Sequence, residues 1–77
     1  MNKERREQIN KAIGMIEEAK SIIETCGGEE RDHYDNMPEA MQGGDKGTKA
    51  DEAATILEEQ TGECENIVSQ LEEARGG

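Results

Sequence analysis

The chain has 77 residues, of which 19 are acidic and 9 are basic, so its formal net charge is −10 at pH 7. A chain this short forms one domain at most, and so acidic a chain lacks the broad basic surface that binds nucleic acid or an anionic membrane. Its large aliphatic residues are seven Ile, two Leu and one Val, with one Tyr and no Phe or Trp. That supply is too small for a core that encloses a deep catalytic pocket.

The first predicted element is a long amphipathic helix that starts after Asn2, a residue type suited to the N-cap. Its apolar stripe, with alternating spacings of three and four, is Ile9, Ala12, Ile16, Ala19, Ile23 and Cys26, and Ile13 and Ile22 lie beside it. Gly27-Gly28 interrupts the stripe. The helix therefore either ends near residue 27 or kinks and continues to about residue 35.

A short helical turn over residues 37–42 is predicted next. Asn36 and Glu39 have the spacing of a capping box, and Pro38 suits the first turn of a helix because it lacks only an unbonded amide. Residues 43–47, rich in glycine, follow as a flexible turn.

The second long helix is predicted over about 46–75, with a start near Asp45 or Thr48. Its stripe is Ala50, Ala53, Leu57, Gln60, Cys64, Ile67, Leu71 and Ala74, flanked by Ala54, Ile56 and Val68. Gln60 is a polar residue that could fix the register of the stripe at some cost in stability. Gly14 and Gly62 either allow close helix approach or weaken the helices locally.

Two such helices joined by a compact connector predict an all-α fold, an antiparallel two-helix hairpin that forms a single domain over residues 1–77. A two-helix hairpin buries one line of contacts, and many positions on this line are alanine. We therefore expect self-association into a helical bundle, most simply a dimer that completes four helices. The expected oligomer core is Ile9, Ile13, Ile16, Ile22, Ile23, Ile56, Leu57, Cys64, Ile67, Val68 and Leu71.

The sequence predicts no enzyme, and we expect no catalytic residue, no metal site and no cofactor. His33 is the sole histidine and has no evident pocket or orienting partner for acid–base chemistry. The two cysteines fall on the predicted stripes as small apolar residues. In a hairpin centred near residue 41, Cys26 would face Ile56 and Cys64 would face Glu18, which disfavours an intrachain disulfide.

The connector gathers the only Tyr, the only Pro and two of the four Met residues, and it is the candidate interaction surface. The residues of this surface are His33, Tyr34, Asp35, Asn36, Met37, Glu39, Met41 and Gln42. Tyr34, Met37 and Met41 either cap the end of the helical core or form an adaptable contact surface, and both roles are compatible if the capped end binds the partner.

The sequence resembles a group of small acidic proteins of phage and prophage genomes. The residues that carry the resemblance are Tyr34-Asp35-Asn36-Met37-Pro38-Glu39, Gln42, Gly47, Glu52-Ala53-Ala54 and Leu57-Glu58-Glu59, together with Lys3-Glu4-Arg5-Arg6 and Ile16-Glu17-Glu18-Ala19-Lys20. The resemblance covers most of the chain and transfers no functional residues. It implies an accessory protein made in a bacterial host, where such proteins often bind and block a host component.

Three functions stay open at this point. The first is a non-enzymatic interaction protein that binds a host or phage protein, for instance a component of a defence system. The second is a nucleotide sponge in which Arg5, Arg6, Lys46 and Lys49 meet between subunits. The third is a mimic of nucleic-acid charge. No apolar run approaches the roughly 20 residues of a membrane span, so we expect a cytoplasmic protein that contacts neither membrane nor nucleic acid directly.

Overall fold

The computed structural model describes residues 1–76 and confirms the all-α hairpin. Helix α1 spans Lys3–Asp35, the short helix α2 spans Glu39–Gln42, and helix α3 spans Asp45–Arg75 and packs back along α1. The hairpin measures 58 × 15 × 15 Å. Within residues 1–76, neither long helix has a stretch of sufficient length and hydropathy to cross a membrane.

Helix α1 runs without a break through Gly27-Gly28, which is the longer of the two predicted alternatives. Gly27 is buried against α3, where a Cβ atom would lie 3.3 Å from the Cβ of Leu57. Gly28 faces open space. One glycine therefore lets the helices approach each other closely, and the packing of residues beyond it offsets its low helix propensity.

The buried line of α1 differs from the predicted stripe at Ala19 and Cys26, whereas Ala12 is half-buried as predicted. Ile9, Ile16 and Ile23 are half-buried as expected, whereas Ala19 and Cys26 are exposed. The residues that take their place each lie one position later in the chain. The observed line is Ile9, Ile13, Ile16, Lys20, Ile23, Gly27, Glu30 and Tyr34. Ile13, expected beside the stripe, is one of the most buried side chains, with 7% exposure.

Helix α3 shows the same one-residue difference. Its buried line is Gly47, Ala50, Ala54, Leu57, Thr61, Cys64, Val68, Leu71 and Arg75. Val68 is buried, but its neighbour Ile67, predicted on the stripe, is 45% exposed. The prediction for Gln60 is also wrong, because Thr61 occupies the seam and donates its hydroxyl to the backbone oxygen of Leu57 at 2.9 Å. The adjacent pairs Ile67–Val68 and Ala53–Ala54 make the apolar stripe wide, so its period alone does not fix its centre.

The turn between the long helices differs from the predicted capping box. Asn36 is the C-cap of α1 instead of the N-cap of a new helix: its backbone N–H donates to the Asp32 oxygen at 3.0 Å, and the Met37 N–H donates to the Tyr34 oxygen at 3.1 Å. Pro38 precedes α2, and its carbonyl oxygen accepts from the amides of Met41 and Gln42 at 2.8 and 3.1 Å. The α2 helix has no side-chain cap.

The other helix ends follow familiar capping chemistry. The Oδ1 atom of Asn2 accepts from the Arg5 amide at 2.8 Å, which confirms the predicted N-cap. Helix α3 begins at Asp45, with Gly44 as its N-cap. At the other end of α3, Gly76 has a φ of 89° and donates its amide to Glu72 and Glu73, the left-handed cap that glycine favours.

Gly47 makes the tightest backbone contact of the connector. It is buried, and a Cβ atom there would overlap the carbonyl group of Gln42. Because that neighbour is backbone rather than a movable side chain, α3 can begin where it does only with glycine at this position.

The glycines give a direct test of this packing. Gly14 and Gly62 face open space, so neither mediates helix approach within the chain. Gly14→Ala and Gly62→Ala should each stabilise the fold by about 1 kcal/mol, because alanine is the better helix former. Thermal melts followed by circular dichroism at one protein concentration would show this as a higher Tm.

The matched control is Gly47→Ala, which adds the same methyl group where it has no room. We expect a clear fall in Tm for this variant. A Gly47→Ala protein that melts at or above the parent temperature would contradict the contact with Gln42.

Candidate functional site

A surface groove of about 540 Å³ lies at the turn end of the hairpin. Its lining residues are Glu30, His33, Met37, Met41, Lys46, Lys49, Ala50 and Ala53. The groove brings His33, Met37 and Met41 of the predicted interaction surface together with Lys46 and Lys49 of the predicted anion contacts. It combines an apolar floor with two lysine ammonium groups at the start of α3.

Two residues of the predicted surface hold the turn instead of lining the groove. Tyr34 and Gln42 are half-buried, and the Gln42 side-chain amide donates to the backbone oxygen of Tyr34 at 3.0 Å. The Arg31 guanidinium lies over the Tyr34 ring, 5.7 Å from its centroid. These contacts favour the capping role for Tyr34. Met41, which is 43% exposed, is available as a contact residue.

The remaining predicted residues separate into two places. Asp35, Asn36 and Glu39 are exposed around the turn, outside the groove lining. Arg5 and Arg6 lie at the start of α1, at the other end of a molecule that is 58 Å long. The four predicted anion contacts therefore do not meet within one chain.

Sequence reasoning missed Glu30, Ala50 and Ala53 as groove residues. Glu30 follows the glycine interruption, where the continuation of α1 was left open. The two alanines were assigned to the helix–helix stripe, and their small size is what leaves space for a groove beside the seam.

One long side of the hairpin, here called the ion-pair side, carries salt bridges between the helices. Arg31 donates to Asp51 at 2.7 Å and to Glu58 at 2.8 Å, and its second nitrogen also contacts the Thr55 hydroxyl at 3.3 Å. Hydrogen bonds from Glu58 and Asp51 raise the pKa of the Arg31 guanidinium above its ordinary value. One arginine thus ties two turns of α3 to the part of α1 beyond the glycines.

Lys20 forms the second such pair, with Glu65 at 2.9 Å. The hydrogen bond to Glu65 raises the pKa of Lys20 above 10.5. Because the folded-state pKa is the higher one, any stabilisation from this pair is complete below pH 10.5 and is lost as the pH rises through the folded value. The Lys20 ammonium is therefore charged at neutral pH.

The opposite long side is here called the apolar side: Glu29 and Glu63 lie on it, but among the described residues no ion pair joins the two helices there. His33 of α1 meets Lys46 and Ala53 of α3 in the groove. Residues seven apart stay on one side of a helix pair, so the lines that continue from His33 and Ala53 share that side. Some apolar residues of this side lie on these two lines, and others lie beside the lines on the same side. Together they are Ala12, Met15, Ala19, Ile22, Cys26, Ala53, Ile56, Ile67 and Ala74.

The large residues of the apolar side are exposed to a degree unusual for a regular stripe. Met15 is 63% exposed, Ile22 62% and Ile56 55%. Ile22, Ile56 and Ile67 were expected in the oligomer core, and within one chain they are surface residues. They are exposed because the contact between α1 and α3 buries the adjacent line of residues on each helix instead.

The described residues offer little for chemistry. Cys26 is exposed and Cys64 half-buried, and both are free thiols. Between residues 1 and 76, no group of three or more His, Cys, Asp or Glu side chains is arranged to hold a metal ion. The arrangement favours binding through shape, apolar contact and charge.

No protein-family model matches the sequence, and neither a curated protein nor a solved structure matches it significantly.

The turn contacts can be tested with neighbouring substitutions. Gln42→Ala removes the partly buried hydrogen bond to Tyr34 and should lower the free energy of unfolding by about 1 kcal/mol. Met41→Ala changes an exposed side chain next to it and should have a much smaller effect. Urea titrations of the two variants provide the comparison, and equal losses of stability would argue against a structural role for Gln42.

Proposed function

We propose that the protein is a non-enzymatic interaction protein that works as a helical oligomer and blocks a bacterial host component. The apolar side carries this proposal, because its large aliphatic residues recur at helical spacing while the ion-pair side is charged. Regularly spaced exposed apolar residues are a feature of surfaces that become buried in an assembly.

The small core of a single hairpin supports the oligomer. Within residues 1–76, the buried apolar side chains are Ile13, Ala50, Ala54 and Val68, and no large side chain is fully buried. Burial of apolar surface contributes roughly 25 cal/mol per Å². A second layer of helices over the apolar side would therefore add stabilisation that one copy lacks.

The groove lies at the turn end of the apolar side and supports a contact for the target at the edge of the oligomer interface. Met37 and Met41 have flexible side chains that adapt to irregular apolar surfaces, and Lys46 and Lys49 add positive charge beside them. This chemistry fits a protein segment that presents an apolar side chain next to carboxylates. The resemblance to phage accessory proteins supports a bacterial host protein as the target. In the narrower form of this proposal, that protein belongs to a defence system.

Self-association is tested by light scattering over a dilution series. The parent protein should have at least twice the mass of one chain, and Ile22→Ser combined with Ile56→Ser should shift it to the monomer. Glu17→Ser, an exposed change on α1 away from the apolar residues, is the control and should leave the mass unchanged. A parent protein that is helical and monomeric at micromolar concentration would remove this part of the proposal.

Target binding is tested by affinity capture from bacterial lysate with quantitative mass spectrometry. Met41→Glu places a charge on the groove and should abolish capture of the specific partner. Ala40→Glu adds the same charge at the adjacent exposed residue, which does not line the groove, and should retain it. If both variants capture the same proteins as the parent, the groove is not the binding site.

A nucleotide ligand is the second candidate, favoured by the placement of His33, Lys46 and Lys49 in one groove. Arg5 and Arg6 could join them only from another chain. Calorimetry with cyclic and linear nucleotides, with Lys46→Glu as control, decides this case. The absence of both heat and a melting shift would exclude a nucleotide ligand.

Charge mimicry is the weaker proposal, since the acidic residues are spread along both long helices.

A further inference from the structure

We propose that the occupant of the apolar side is a second copy of this chain packed antiparallel to the first, with the turn end of each hairpin beside the open end of the other. This inference rests on the oligomer proposed above and specifies its partner and orientation. The open end comprises residues 1–16 and 68–76, the middle 17–26 and 58–67, and the turn end 27–57.

The dimensions of the apolar side fit a second hairpin. A face of 58 by 15 Å has about the area that one partner contributes to a stable protein–protein interface, roughly 800 Å². On each helix the apolar line lies roughly 100° around the axis from the seam, given 100° per residue. That angle is close to the right angle between the two neighbours of a helix in a four-helix bundle. Two hairpins stacked through their apolar sides therefore give such a bundle.

The charge along the hairpin sets the orientation. The open end has five basic and four acidic residues, a net charge of +1, and the turn end has three basic and eight acidic residues, a net charge of −5. The middle, with one basic and seven acidic residues, has a net charge of −6. In a parallel dimer the two turn ends, each at −5, would lie together. The antiparallel dimer places a −5 end beside a +1 end twice, which is the more favourable arrangement.

The sizes of the apolar side chains agree with this orientation. Gly27 lies opposite Leu57 and Lys20 pairs with Glu65, and this register places the large residues around the level of residues 20–21 of α1. A twofold axis at that level brings Ile22 against Ala19 of the second copy and Met15 against Cys26 of the second copy. On α1 each of these two large side chains then meets a small one, as close packing requires.

The test uses single cysteines on the apolar side in a Cys26→Ser, Cys64→Ala background. Gln8→Cys lies near the open end, seven residues before Met15, and His33→Cys lies near the turn end, seven residues after Cys26. In the antiparallel dimer these positions are neighbours across the interface. A short bismaleimide should therefore cross-link an equimolar mixture of the two variants and leave each variant alone largely uncross-linked.

A distance measurement gives an independent readout. Spin labels on Gln8→Cys should be roughly 35–40 Å apart in the antiparallel dimer, from a rise of 1.5 Å per residue. In a parallel dimer the two labels would lie side by side. Cross-linking of each variant with itself, or a short label distance, in a protein that light scattering shows to be dimeric would overturn the orientation alone. A monomeric parent protein would overturn the orientation and the proposed oligomer together.

Discussion

Each long helix carries two adjacent apolar lines, and a two-helix hairpin can bury only one of them. This constraint determines the structure of the chain. The buried lines are those that contain Gly27 on α1 and Ala50 and Ala54 on α3, where small residues let the backbones approach closely. The other lines, with Ile22 and Ile56, are left on the surface as a consequence. Their exposure is the cost of a seam that packs well, and it leaves one side of the molecule with exposed aliphatic residues.

Charge follows the same division. On the side with Arg31, Asp51 and Glu58, ion pairs join the two helices. An apolar partner that packed on this side would have to displace or bury these charges. The two sides therefore differ in kind: the first stabilises the hairpin and the second remains free for binding. Arg31 has a particular place in this arrangement, since it holds the last turns of α1 against α3 and also covers Tyr34 next to the turn.

Much of the fold could be predicted from the sequence, because periodicity, caps and breakers are local signals. The two long helices, the short helical turn, the Asn2 cap and the antiparallel hairpin all followed from them. The choice of seam could not be predicted, since a wide stripe has one period whichever of its lines is buried. Local sequence signals suggested that Gly27 ends or kinks the helix. It is instead a packing residue, and its role depends on Leu57, which is distant in sequence. The groove was predicted in part, because the connector was identified while the α3 alanines that shape it were assigned to the core.

The connector, which holds the only Tyr and the only Pro of the sequence, has a structural explanation of its own. Asn36 ends α1, the Pro38 carbonyl anchors α2, and Gln42 returns to Tyr34. At Gly47 the compactness of this connector limits which mutations the gene can accept. Any missense change in a glycine codon adds at least one side-chain carbon, and here every such carbon meets the backbone of Gln42. In saturation mutagenesis, position 47 should tolerate no substitution, whereas its neighbours in the chain should tolerate many. The turn can therefore be conserved in related sequences only where this one position stays glycine.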